Sequence, residues 1–287
     1  MSRRRSTTRE AGRLAAMMMT VAGLVGAVAT AQAGCSRVLQ VPVAPIGLGV
    51  TVAANGQVGG IYPELLRHVA SSEGCSLHFT VVPRARQELM FESGLSDMLL
   101  PARRSPRRDQ FGVFVPLIQS RAALVTLDRG AEHPPLPELQ SLAELQQHHE
   151  LRLAVVRGYD YGDAYQALLA SMAAQGRLQQ ATDPISLVRM LDAGLADLTI
   201  VAPTIVTGAL RGDARLKAWL PRVQVSTVEE LSWGESGVYL SNRSKLGADD
   251  RHVMEAALSQ LARSGAAWRE FQRYYPEDSL RLSIRPR

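Results

Sequence analysis

The segment LLPARRSPRRDQFG, residues 99–112, places Arg103, Arg104, Arg107 and Arg108 within six positions. Guanidinium groups at that density suit a nucleic-acid backbone, a lipid headgroup or one small anion, and equally a solvated turn. Net charge helps to choose. The chain carries 32 Lys and Arg against 27 Asp and Glu, a formal +5. Arg3, Arg4, Arg5, Arg9 and Arg13 against Glu10 put +4 of that into the first 33 residues, leaving +1 on the other 254. A nucleic-acid-binding domain normally carries a basic excess over a whole face, with aromatic or helix-in-groove context beside the arginines. Neither is present, so no nucleic-acid partner is expected. What remains is a planar fork that meets a carboxylate through two parallel hydrogen bonds and never loses its charge.

Other chemistries lack their residues. Cys35 and Cys75 are the only cysteines, and His148–His149 lies among charged residues, so no metal-ligand spacing forms. No nucleophile elbow or triad order occurs, and the chain reads as a non-enzyme with no cofactor. An enzymatic alternative, a dehydratase-like general acid, needs an Asp or Glu of raised pKa in a cleft.

Residues 1–33 read as a cleaved secretory signal, with a basic start, the apolar run LAAMMMTVAGLVGAVATA and a closing Ala-Gln-Ala at 31–33. An uncleaved anchor and a lipid-anchored Cys35 are the alternatives. Export to a periplasmic, oxidising compartment favours a Cys35–Cys75 disulfide; two buried free thiols are the other reading.

Strand-like and helix-like runs alternate behind these residues. YPELLRHVASSEG (62–74) carries Leu65, Leu66, Val69 and Ala70 at helical spacing, with Pro63 in its first turn and Gly74 at its end. SLHFTVV (76–82), DMLLP (97–101), RAALVTLDR (121–129), LRLAVVRG (151–158) and ADLTIVA (196–202) read as strands, and ARQELMFESG (85–94) and DPISLVRMLDAG (183–194) as helices. GAEHPPLPELQ (130–140) reads as a linker, followed by a Ser141-x-x-Glu144 capping box. Such alternation predicts α/β layers with mainly parallel sheets. One unit occurs twice: QELMFESGLSDMLLPA (87–102) matches VRMLDAGLADLTIVAP (188–203), a helix, a Gly, an Asp and an apolar strand. Ligands in such sheets sit beyond the carboxyl ends of the strands, near Pro101–Arg108, Gly158–Tyr161 and Val201–Thr204.

GGIYPELLRHVA, GLSDMLLPARRSPRRDQFGVFVPL, LRLAVVRGYDYG and MLDAGLADLTIV together resemble the type II periplasmic solute-binding proteins, in the branch named for polar amino acids (extracellular solute-binding protein family 3). The similarity spans nearly all of the chain after residue 33. It implies an α/β fold of two lobes joined by a hinge of two crossing strands, with lobe 1 at 34–127 plus 224–287 and lobe 2 at 128–223. It implies a monomeric receptor of an ABC-type transporter that captures a small anionic or zwitterionic solute, amino-acid-like or an organic acid. Its partner would be an inner-membrane permease. A sensory module that passes occupancy to a membrane receptor is the alternative.

The resemblance carries roles to particular residues. Arg108 aligns with the arginine that pairs with the ligand carboxylate. Ser105 donates a hydroxyl to the ligand or caps its turn. Arg103 stands where the family has a small or hydroxyl residue, and either adds a second charge contact or points outward. Arg86 matches an arginine near the cleft, or lies on an exposed helix face. Gly158, Tyr159, Asp160 and Tyr161 form the turn that presents N–H groups to the ligand; the tyrosines stack on the ligand or pack the lobe edge, and Asp160 binds a cation or caps a helix. Tyr62 is a cleft wall or a core residue. Family members that bind α-amino acids place an Asp where this chain has Ala202. A desolvated ammonium needs such a partner.

Overall fold

The computed structural model describes residues 34–130 and 136–287. The expected signal lies outside the described residues, as do residues 131–135 of the proline-rich linker.

Two lobes form around separate sheets. In the first, Leu39–Val43 pairs in parallel with Leu77–Val81, beside a four-stranded antiparallel sheet ordered Ile284–Arg285, Gly112–Ser120, Gly234–Ser241, Met98–Arg103. In the second, a five-stranded sheet is ordered Val223–Ser226, Ala123–Leu127, Leu198–Val201, Leu153–Val156, Leu178–Ala181. Among the described residues, parallel strand pairs are Leu39–Val43 with Leu77–Val81, and Leu153–Val156 with its two neighbours, beside one isolated parallel bridge between Ile46 and Leu48. The expectation of mainly parallel sheets therefore holds only for strands joined through helices. The strands that carry the chain between lobes return against their neighbours and pair antiparallel. Ala123–Leu127 and Val223–Ser226 pair with each other in the second sheet, so the chain changes sheets at 121–122 and again at 227–233.

Each lobe closes over its own core. Leu65, Leu66, Val69 and Ala70 of the helix Ile61–Ser72 are buried, as their spacing predicts, against Met254, Leu258 and Phe271 of the C-terminal helices. Leu145, Tyr165 and Met172 cover one face of the five-stranded sheet, and Leu187, Val206 and Leu210 cover the other. The Cys35–Cys75 disulfide is formed and closes a loop of sequence separation 40.

The duplicated unit has a structural meaning. Gly94 and Gly194 both adopt positive φ, 77° and 66°, where a side chain is strained, and both end a helix. Asp97 and Asp197 then clamp the strand alongside. The amide of Asp97 donates to the Gln40 carbonyl (2.9 Å) while Asp97 Oδ2 accepts from the Gln40 amide (2.6 Å). Asp197 repeats this with Arg152 at 2.9 Å in both directions. The repeated Asp is thus a strand clamp in each lobe, braced by Arg37 in one and Arg129 in the other.

Candidate functional site

The strand ends Pro101–Arg103 and Val201–Ala202 face each other across a cavity of about 90 Å³. At about 30 Å³ per water, that is room for about three waters, which limits the cavity to a small solute. Tyr62, Arg84, Pro101, Arg103, Arg108, Ser236 and Phe271 line it from the first lobe, and Tyr159, Asp160, Tyr161, Ala202, Thr204 and Ile205 from the second.

The arginine segment divides sharply. Arg104 and Arg107 are exposed and pair with Asp109 (3.2 Å) and Glu92 (2.7 Å). Arg108 is 4% exposed. Its Nη2 and Nε donate to the Glu88 carboxylate (2.7 and 3.1 Å), and its Nη1 to the Arg103 carbonyl (2.8 Å). Arg84, equally buried, donates to Glu88, to Gln87 Oε1 (3.0 Å) and to the Pro101 carbonyl (2.9 Å). Glu88 therefore sits between two guanidiniums. Burial alone pushes its carboxyl up, but Arg84 and Arg108 outweigh that and hold it below the usual carboxylate range. Burial likewise opposes the charge on Arg108, and Glu88 overcomes it. Arg103 is different. Its Nη1 and Nη2 donate to two carbonyl oxygens, Ser120 and Ser232, both at 3.0 Å. Burial pushes its pKa down, with Tyr161 and Asp160 partly offsetting the effect.

Ser105 caps the short helix Pro106–Asp109 by accepting from the Arg108 amide (3.4 Å), and it does not line the cavity. Arg86 lies on the exposed face of the helix Arg84–Glu92 and reaches neither the cavity nor the Glu88 network; Arg84, two residues earlier, does both. Tyr62 walls the cavity edge-on to Phe271, and its hydroxyl is pushed up to about 12 by burial. Tyr159 packs edge-on to Tyr161 and is buried with its hydroxyl unpartnered. Asp160 Oδ1 accepts from the Gly162 amide (2.9 Å) and Gln166 Nε2 (3.2 Å), which fixes the start of the helix Asp163–Ala174; the residue still borders the cavity. At Ala202 the backbone amide donates to Tyr161 Oη (3.3 Å), and the methyl side chain offers no carboxylate to the cavity. Tyr161 lies at the strand end where the sequence placed it, whereas sequence reasoning missed Arg84, Glu88 and the wall residues Phe271 and Ile205.

The lobes touch around the cavity. Gly158 has φ 89°, and a Cβ there would meet the Ala85 backbone at 3.0 Å. Tyr275 Oη donates to the Thr204 carbonyl (2.9 Å), and Thr204 also bonds Ser283 through backbone and side chain. A Cβ on Gly208 would collide with Tyr275 Oη. These contacts describe a cleft drawn shut.

No protein-family model and no curated protein sequence matches the chain. Solved structures do. EhuB, crystallised with hydroxyectoine, aligns with TM-score 0.66 at 17% identity over 85% of this chain and 91% of its own. A histidine kinase sensor domain with similarity to periplasmic binding proteins aligns with TM-score 0.64 at 18% identity over 84% and 96%. An ancestral arginine-binding protein bound to arginine aligns with TM-score 0.64 at 15% identity over 83% and 98%. The chain has the two-lobed type II periplasmic-binding-protein fold.

Proposed function

We propose that this chain is an exported solute receptor that closes its two lobes on a small anionic or zwitterionic molecule and presents it to an inner-membrane transporter. The observation that carries the reading is the interlobe cavity bordered by Arg84, Arg103 and Arg108, with interlobe contacts that hold it shut. Hinge closure over a bound solute is the expected motion of such a fold, and the hinge would lie at the crossings 121–122 and 227–233. The carboxylate held between Arg84 and Arg108 is poorly suited to general-acid chemistry, which needs a raised pKa; this supports binding over catalysis. Arg108, Arg103, Tyr62, Tyr159 and Asp160 are the ligand-facing residues in this proposal. Ser105 caps the short helix that carries Arg108 and Gly158 allows the close approach to Ala85, so both act from outside the cavity, and Arg86 takes no part. The likeness to a sensor domain favours a second reading, in which the closed form is read by a membrane receptor instead of a permease.

A thermal-shift screen of amino acids, dicarboxylates and small organic anions tests the first step. A ligand at about 100 times its Kd adds roughly 2.7 kcal/mol to stability. A flat melting temperature across the whole panel rejects the receptor reading.

A further inference from the structure

We propose that the cavity takes an amine-free monocarboxylate with a short apolar body, and that Arg103, in place of Arg108, meets its carboxylate; this rests on the receptor reading above. Three guanidiniums, Arg84, Arg103 and Arg108, border the cavity. Two carboxylates face them: Asp160 on the wall, and Glu88 bonded to Arg84 and Arg108. One positive charge is left over, and the geometry locates it. Arg84 and Arg108 share Glu88 and direct further N–H groups to the Pro101 and Arg103 carbonyls. Arg103 touches only the Ser120 and Ser232 carbonyls and makes no ion pair among the described residues. A partly buried guanidinium with neutral partners is where an incoming carboxylate gains most, because the charge is desolvated but not yet compensated.

The rest of the wall argues against an ammonium. Ala202 offers no carboxylate, and its amide is taken by Tyr161 Oη. Asp160 has Oδ1 engaged by Gly162 and Gln166 and lies within the field of Arg103 and Arg108. Ile46, Ile205, Ile284 and Phe271 supply the apolar surface that a hydrocarbon body would cover. Arg103 also holds a carbonyl beside each crossing, at Ser120 and at Ser232. An anion seated on Arg103 is therefore one side chain away from both hinge strands.

The test measures binding of three matched pairs to the whole protein by titration calorimetry: propanoate and alanine, 4-methylpentanoate and leucine, 3-phenylpropanoate and phenylalanine. The deaminated member of at least one pair is expected to bind about 10-fold tighter than its amino acid, which would bury an ammonium without a partner. Arg103→Gln is expected to weaken that binding on the order of 100-fold, the usual cost of removing one partner of a buried charge pair, while the unliganded melting temperature falls only by the loss of its bonds to the Ser120 and Ser232 carbonyls. Should Arg103→Gln fail to fold, Arg103→Lys carries the test: it keeps the charge, loses the fork, and is expected to bind about 10-fold more weakly. Tighter binding of the amino acids, binding only of a dicarboxylate, or parental affinity in whichever of the two variants folds overturns this inference and leaves the receptor reading intact. Silence of these pairs and of the whole screening panel overturns both.

Discussion

Replacing Glu88 by Gln tests the arrangement of charge around the cavity most directly. The carboxylate is buried and bonded by both Arg84 and Arg108. The substitution keeps the volume but leaves two buried guanidiniums without their counter-ion. Breaking a buried pair in this way costs about 3–5 kcal/mol. For a chain of this size each kcal/mol moves the melting temperature by about 2–4 °C, so a fall on the order of 6–20 °C is expected. The pH dependence gives a second, independent readout. Glu88 has a folded pKa below its ordinary value of 4.5. Its stabilisation is thus fully present above that value and is lost as pH falls through the folded pKa. Calorimetric melts of parent and variant at pH 7 should differ widely, and the gap should shrink as pH falls below about 4.5. Ligand binding supplies a third readout with the opposite sign. The variant leaves more positive charge at the cavity, so it should bind a small anion more tightly while being less stable. Equal melting temperatures at pH 7, or a gap that does not change with pH, would refute the shared-carboxylate account.

Other outcomes follow from the same contacts. Tyr275→Phe removes the bond to the Thr204 carbonyl that ties the lobes together, and should weaken ligand affinity about 2–12-fold, the worth of one hydrogen bond, with a larger radius of gyration in solution scattering. Gly208→Ala places a methyl group against Tyr275 Oη and should hinder closure more strongly, with binding reduced and the unliganded melt little changed. Reducing the Cys35–Cys75 disulfide should cost about 4 kcal/mol for the loop it closes, on the chain-entropy estimate, read as a lower denaturant midpoint in the presence of dithiothreitol.

Much of the architecture was legible in the sequence because burial follows period. The stripe Leu65, Leu66, Val69, Ala70 could only face a core, and the two Gly-x-x-Asp units announced two equivalent turns. The same logic explains why Arg86 takes the exposed-face alternative and Arg84 the buried one. Arg84, Gln87, Glu88 and Phe91 stand at i, i+3, i+4 and i+7 and form the buried face of their helix, while Arg86 lies about 200° away from Arg84 around the axis at 3.6 residues per turn. Three polar residues in that stripe hid it, because charged side chains are normally read as the solvent face; here they are buried only because they satisfy one another. Tyr161 was legible as part of its turn, but its partner was not. Its hydroxyl meets the amide of Ala202, 41 residues away, and no local pattern announces a contact at that separation. Antiparallel return of the crossing strands was hidden as well, since a strand's direction depends on where the chain re-enters the other lobe.

The paired clamps at Asp97 and Asp197 bear on how the molecule can move. Each is built entirely within one lobe: Gln40 with Asp97, and Arg152 with Asp197. The Thr204 amide, by contrast, is held by Ser283 from the opposite lobe. In deuterated solvent the amides of Gln40 and Arg152 should share the slow exchange of their lobe's core, because swinging the lobes apart exposes neither. The Thr204 amide should exchange at the rate of cleft opening and slow when a solute fills the cavity. Two slow reporters and one fast one would thus time the gate while showing that the rigid bodies on either side of it never loosen.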